Sequence, residues 1–222
     1  MLVYWQMLYI LSTPGLVDRL RAEIGPYAVI SKPSSIGNIS EAPRLTLSYQ
    51  GLSERCPLLK ATYFEALRLT DQPWSIRKVS QDVVISGNKK SANPTSFLLH
   101  RGEYVTMPHD LHMRDPKYFK EPEKFQPERF LVHSEDGTFK TDMGTMRPYG
   151  GGPSMCKGRV LAERECLSFV AGVLAFWDIE PVDKKAGWVI SGQQKTGAVS
   201  KPMHDTRVRI KRRRFEWEDK EN

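Results

Sequence analysis

Apolar positions recur at helical spacing in three stretches of this chain. Leu16, Val17, Leu20 and Ile24 share one face of a helix that Gly25-Pro26 stops. Thr13-Pro14 reads as its start, with Thr13 as N-cap and Pro14 in the first turn. A second helix is predicted over 58–70, opened by Cys56-Pro57 and buried through Phe64, Leu67 and Leu69, with Glu65 and Arg68 three apart on one face. Ala162, Cys166, Phe169, Val170, Val173 and Trp177 mark one face of a third, longer helix. Residues 1–12 are apolar nearly all round, with Trp5 and Gln6 among them, the pattern of a buried helix. No cap precedes it, so it reads as the tail of something longer.

Short apolar blocks bounded by turn residues predict strands over 74–78, 82–86, 96–99 and 104–107, with Gly87-Asn88 as one turn. Residues 31–52 are rich in Ser, Pro and Gly and read as loop with room for a short helix. A short helix follows over 108–113. Pro116, Pro122 and Pro127 then force a meandering backbone up to Phe130. Residues 188–213 read as hairpin strands, and the charged end from Phe215 to Asn222 as frayed. No segment repeats. The fold class is mainly α with small β-sheets.

Composition narrows the class. Of 222 residues, 40% are hydrophobic and 27% charged, which suits a globular chain. A net charge of +7 permits an acidic partner or a membrane surface without by itself indicating nucleic acid. Three cysteines, an odd number, make no disulfide framework and fit a reducing compartment. No stretch reaches the ~18–20 apolar residues of a membrane span. The apolar start, 1–11, is short and lacks the basic region of a signal peptide.

The most informative stretch is Arg147-Pro148-Tyr149-Gly150-Gly151-Gly152-Pro153-Ser154-Met155-Cys156-Lys157-Gly158-Arg159. It sets one cysteine between a glycine-rich loop and a helix start. Backbone N–H groups, a helix dipole, Lys157 and Arg159 all favour thiolate there. A lone thiolate in a rigid loop is what an axial ligand to haem iron requires. A buried cysteine acting as a small hydrophobe is the plain alternative. A nucleophile would need a base, and His133 and His204 sit in no partner motif. Cys56, Cys156 and Cys166 lack the paired spacing of a zinc site. The glycines speak against mere burial, because they imply close approach or positive φ.

Four patterns follow one another in order: Glu65-Ala66-Leu67-Arg68, Pro127-Glu128-Arg129-Phe130, the loop from Tyr149 to Gly158, and Ala162 with Glu165 in the next helix. Together they resemble the C-terminal half of a cytochrome P450, a haem-thiolate monooxygenase. The resemblance implies this half of that fold in truncated form. It places the end of the central helix and the next helix in 1–30, the ExxR helix in 56–70, a small sheet in 74–107, the meander in 115–148, the ligand loop and last long helix in 149–177, and C-terminal hairpins in 178–214. It implies haem b (iron protoporphyrin IX) on Cys156, with Tyr149 where the family usually has Phe. Gly152, Gly158 and Ala162 match family positions. The N–H groups of Lys157, Gly158 and Arg159 would donate to the sulfur. Arg77 is similar to the arginine that pairs with a haem propionate. Ser154 stands where the family usually has another such arginine.

Glu65, Arg68 and Arg129 would form a buried network, since a guanidinium fork matches a carboxylate and a second arginine satisfies its remaining lone pairs. The missing arginine at Ser154 makes the loop most like the prostacyclin synthase and bile-acid hydroxylase branch and related fungal enzymes. Implied for the parent are an apolar substrate such as a sterol, lipid or secondary metabolite, NADPH-cytochrome P450 reductase as partner, and the cytoplasmic face of the endoplasmic reticulum. Trp74, Ser75 and 198–201 are the remaining candidates to face a substrate. Two other expectations stand beside this one: a catalytically silent fragment, and a haem-thiolate isomerase acting on a lipid peroxide. A nucleic-acid module resting on Lys211-Arg212-Arg213-Arg214 lacks any accompanying motif.

Overall fold

A computed structural model describes residues 1–32, 42–87 and 95–215, with the backbone of 35–36 and 39–40. Asn88 of the expected turn and the charged end beyond Phe215 lie outside the described residues.

Helix α1 (Leu2–Ser12) buries Trp5 and Ile10 completely, and Gln6 Nε2 donates to Thr62 Oγ1 at 3.0 Å. The next helix does not start at Thr13-Pro14. The Thr13 hydroxyl turns back to donate to the Tyr9 carbonyl at 2.7 Å, so it finishes α1 instead of capping its successor. Gly15, with φ +72°, makes the left-handed corner into α2 (Leu16–Ile24), which buries Leu16, Leu20 and Ile24.

Strands β1 (Ala28–Ser31), β2 (Ser35–Ile36), β3 (Ile39–Ser40) and β4 (Arg44–Leu47) occupy much of the segment expected to be loop. β1 pairs antiparallel with β4, Ala28 opposite Leu47, and β2 with β3. The period-2 pair Leu45 and Leu47 packs against the core, a signal hidden among Ser, Pro and Gly. The short helix arrives as α3 (Tyr49–Glu54), capped by Ser48 Oγ accepting from the Gly51 amide at 3.2 Å.

Helix α4 (Pro57–Thr70) is the centre of the molecule, with α1, α2, α3, α6 and the Pro127–Phe130 turn packed on it. That explains a helix buried on nearly every face, from Leu58 to Thr70. Its first turn is satisfied from a distance: the Glu23 carboxylate accepts from the Leu58 and Leu59 amides, each at 2.8 Å.

Strands β5 (Trp74–Lys78), β6 (Val83–Ser86), β7 (Ser96–Leu99) and β8 (Tyr104–Pro108) form two antiparallel pairs, β5 with β8 and β6 with β7. Asp82 stays outside β6 because its carboxylate accepts from the Arg101 amide at 2.8 Å. Helix α5 (His109–Met113) follows. The meander then carries a small hairpin, β9 (Leu131–His133) with β10 (Phe139–Thr141), which the proline punctuation did not reveal.

Helix α6 (Arg159–Phe176) buries Cys166, Leu167, Val170, Ala171, Leu174 and Ala175. The expected face is therefore rotated. Phe169 is 57% exposed, and Trp177 begins strand β11 (Trp177–Pro181) instead of ending the helix. β12 (Gln193–Gln194) pairs with β13 (Lys201–Pro202), while β14 (Val208–Arg212) pairs back to β11. The C-terminal strands thus make one short hairpin and one closure onto the end of α6.

Candidate functional site

The loop before α6 is shaped by two left-handed glycines, Gly150 at φ +71° and Gly152 at φ +66°. The Gly150 amide turns back to the Arg147 carbonyl at 2.9 Å, and the Cys156 amide closes the loop on the Tyr149 carbonyl at 3.0 Å. α6 begins at Arg159 with Gly158 as N-cap, so Cys156 lies just ahead of the helix and not within its first turn. Among the described residues, no group donates a hydrogen bond to Cys156 Sγ. The three amides expected to do so, of Lys157, Gly158 and Arg159, do not reach it in this arrangement. Arg159 instead donates to the Cys156 carbonyl at 3.1 Å.

Cys156 is the exposed cysteine; Cys56 and Cys166 are buried. Burial pushes the Cys56 thiol up to about 12 and the Cys166 thiol up to about 11. Neither is prepared to be a thiolate.

Cys156 opens onto a cavity of about 540 Å³. Tyr149, Ser154, Ala162, Arg77 and Ser75 line it too, and so do Ala198 and Val199. Gly152, Lys157, Gly158 and Arg159 do not line it. Arg77 is exposed on β5, with one N–H on its neighbour's carbonyl, that of Ile76, at 2.8 Å. Ser75, two residues before it on the same strand face, sits 2.9 Å from His109 Nε2. Burial and the neighbouring His112 hold the His109 imidazole below its usual range, so it is neutral at pH 7.

Tyr149 does more than line the cavity. Its hydroxyl hydrogen-bonds that of Tyr63, a fully buried residue of α4. Burial raises both phenols, Tyr149 to about 12, so neither ionises near neutral pH. The pair ties the cysteine loop to the central helix. The signal for Tyr63 in the sequence is a hydroxyl on an otherwise apolar buried helix, which must find a partner. Asp71, which ends α4 and lines the cavity, carries no such local signal. Burial pushes the Asp71 carboxyl up to about 7 against one opposing backbone hydrogen bond from Gln72.

On α4, Glu65 and Arg68 are both 0% exposed and meet through two hydrogen bonds, Nε to Oε2 at 2.7 Å and a terminal nitrogen to Oε1 at 2.9 Å. Arg129 Nε reaches Glu65 Oε1 at 3.1 Å, and the Gln126 amide reaches the same oxygen at 2.9 Å. Arg68 spends a further N–H on the Met113 carbonyl at 2.8 Å, and Arg129 another on the Lys120 carbonyl at 2.9 Å. The carboxylate is saturated and the meander is stitched to α4. A buried ion pair of this kind holds a fold only when its lone pairs and N–H groups are taken up in this way.

A model of the cytochrome P450 family matches residues 2–206. The chain belongs to the cytochrome P450 family. Relatives within it include the cytochrome P450 monooxygenase poxD of Penicillium oxalicum, 28% identical over 185 residues, covering 83% of this chain and 34% of that protein. Mouse cytochrome P450 7B1 is 29% identical over 192 residues, covering 82% and 35%. Rat prostacyclin synthase is 28% identical over 192 residues, also covering 82% and 35%. The chain thus spans about a third of the length of these relatives. A zebra fish cytochrome P450 solved with abiraterone superposes with a TM-score of 0.68 at 22% identity, over 96% of this chain and 44% of that one. The P450 fold, in the part this chain covers, is therefore established. Among the described residues, no helix is long and apolar enough to cross a membrane.

Proposed function

We propose that the cavity is the seat of haem b, that Cys156 binds its iron as thiolate, and that the whole protein is a monooxygenase oxidising an apolar small molecule such as a sterol, lipid or secondary metabolite. The observation that carries this is the exposed Cys156 sulfur opening onto a cavity of about 540 Å³, the scale of a cofactor site. The residues present suit the group. One thiol is accessible while the other two are buried, and Leu67, Ala162 and Val199 offer apolar wall. Arg77 would take a propionate, and Ser154 offers a neutral hydrogen bond where the family usually has a second arginine.

When bound, the haem supplies the iron chemistry that activates oxygen. The chain's own residues hold the ligand loop, fix Tyr149 against it through Tyr63, and exclude water with their apolar side chains. The Glu65, Arg68 and Arg129 network keeps the meander and α4 in register. Lys157 and Arg159 are exposed and basic, and we assign them to an acidic reductase surface, with NADPH-cytochrome P450 reductase as the partner. The proposed place of the whole protein is the cytoplasmic face of the endoplasmic reticulum.

The deciding test is reconstitution of the chain with haem, followed by reduction under carbon monoxide. The thiolate-type Soret band is expected to vanish in Cys156→Ala and to survive in Cys56→Ala and Cys166→Ala. An unchanged band in Cys156→Ala would refute the assignment. Ser154, together with similarity to prostacyclin synthase, favours one second reading, a haem-thiolate isomerase. It predicts turnover of a lipid peroxide without reductase, whereas the monooxygenase needs NADPH and reductase.

A further inference from the structure

Ser75, on the wall of the cavity that contains Cys156, is hydrogen-bonded from behind that wall to His109, Oγ to Nε2 at 2.9 Å. The fold builds this pair deliberately. β5 and β8 are in register with Ser75 opposite Met107 and Trp74 opposite Pro108. His109 follows directly, and its amide donates to the Pro73 carbonyl at 3.2 Å, which turns the imidazole back over β5. On the other side the cysteine loop passes close by: a Cβ at Gly150 would lie 3.7 Å from Ser75 Oγ. Ser75 is thus held between His109 and the loop, half-buried on the cavity wall.

A neutral imidazole can carry its proton on either nitrogen. With the proton on Nε2 it donates to Ser75 Oγ, and the serine O–H is free to donate into the cavity. With the proton on Nδ1 the serine O–H is spent on the histidine, and only oxygen lone pairs face the cavity. A negatively charged oxygen in the cavity selects the first arrangement. Arg77 lies next along the same strand face and has N–H groups to spare, since the structure spends one on Ile76. A hydroxyl donor and a guanidinium two residues apart on one strand face make a corner for a carboxylate.

We propose that Ser75, positioned by His109, donates a hydrogen bond to a carboxylate bound in this cavity beside Arg77. The carboxylate has two possible sources, a porphyrin propionate or the acid group of a free fatty acid. The porphyrin source rests on the haem reading above; the lipid source does not. In either case Ser75 gives the acid group a second donor beside Arg77.

The test uses the full chain and metal-free protoporphyrin IX, its dimethyl ester and palmitate, with affinities read by fluorescence and absorbance titration. Metal-free porphyrin needs no iron ligand, so a failure of Cys156 to bind iron leaves this experiment intact. Ser75→Ala and His109→Phe are each expected to weaken the diacid roughly 10-fold, the scale of one hydrogen bond to a charged group, and to leave the diester unchanged. The double variant should lose no more than either single one, and Ser75→Thr, which keeps the hydroxyl, should keep the discrimination. A Ser75-dependent loss confined to palmitate supports the corner and assigns it to a lipid acid. Equal losses for diacid and diester, unchanged affinities throughout, or a wild-type chain that binds none of the acids would overturn the proposal.

Discussion

Arg129 and Glu65 stand 64 positions apart in the chain, yet Nε and Oε1 meet at 3.1 Å, on the carboxylate that Arg68 grips from one turn away. The contact joins α4 to the meander, beside the Gln126 amide that reaches the same oxygen at 2.9 Å. Glu65→Ala would strand two guanidiniums, one of them wholly buried. We expect a loss of roughly 3–5 kcal/mol, as for other broken buried pairs. Urea unfolding followed by circular dichroism measures it. A loss below about 1 kcal/mol, the range of surface pairs, would show that the network does not hold the fold.

Asp71 makes stability depend on pH in an unusual direction. Its folded pKa, about 7, lies above the ordinary 3.8. Between those values the folded chain binds the proton more tightly than the unfolded one. Stability contributed by this group is therefore present at low pH and is lost as pH rises from about 4 through about 7. Asp71→Asn should remove that slope and stabilise the chain above pH 7 by roughly 2–4 kcal/mol. Denaturation midpoints of both proteins at pH 5 and pH 8 decide it; parallel curves would mean that the carboxylate is solvated.

The three thiols should separate cleanly by reactivity. Cys156 is exposed, whereas burial raises Cys56 and Cys166 well beyond neutral pH. A thiol reagent at pH 7.5 is expected to modify Cys156 in a fast phase and the other two only on unfolding. Equal rates for all three would contradict the packing of α4 and α6.

Gly51 is required for room. A Cβ there would fall 2.1 Å from the Tyr27 ring, so α3 could not sit against the turn that ends α2. Gly51→Ala should cost about 1–3 kcal/mol, the usual penalty for overpacking. Thermal melts of the variant test this, and a neutral result would mean that Tyr27 swings aside freely.

The sequence reveals some of this architecture and conceals the rest for identifiable reasons. α4 is legible because apolar residues surround it and Pro57 opens it. The turn-rich cysteine loop is legible because its glycines cluster, two of them at positive φ. The pairing of β1 with β4 is not, since strand partners across a polar loop leave only a two-residue alternation, Leu45 and Leu47. Thr13 and Pro14 make a good helix start locally, but the Tyr9 carbonyl takes the Thr13 hydroxyl first. Phe169 and Trp177 fit a helical period, yet the stripe that packs is the neighbouring one through Leu167, Ala171 and Leu174. At the candidate site, local spacing shows Glu65 with Arg68. Arg129 is expected there only through the order of the family-like patterns, while Tyr63 and His109 join through distant contacts that no local pattern contains.

The carboxylate of Glu23 at the start of α4 has a consequence for the order in which the chain assembles. The Leu58 and Leu59 amides have that carboxylate as their partner only after α2 has docked. Until then the central helix begins with open N–H groups and frays. Formation of α4 is thereby linked to closure of the intervening segment, which includes the β1–β4 pair and α3. Closing such a loop before its contacts repay the entropy is the slow kind of step. Helix α4, the most local-looking element of the chain, thus matures with the arrival of a neighbour from outside it.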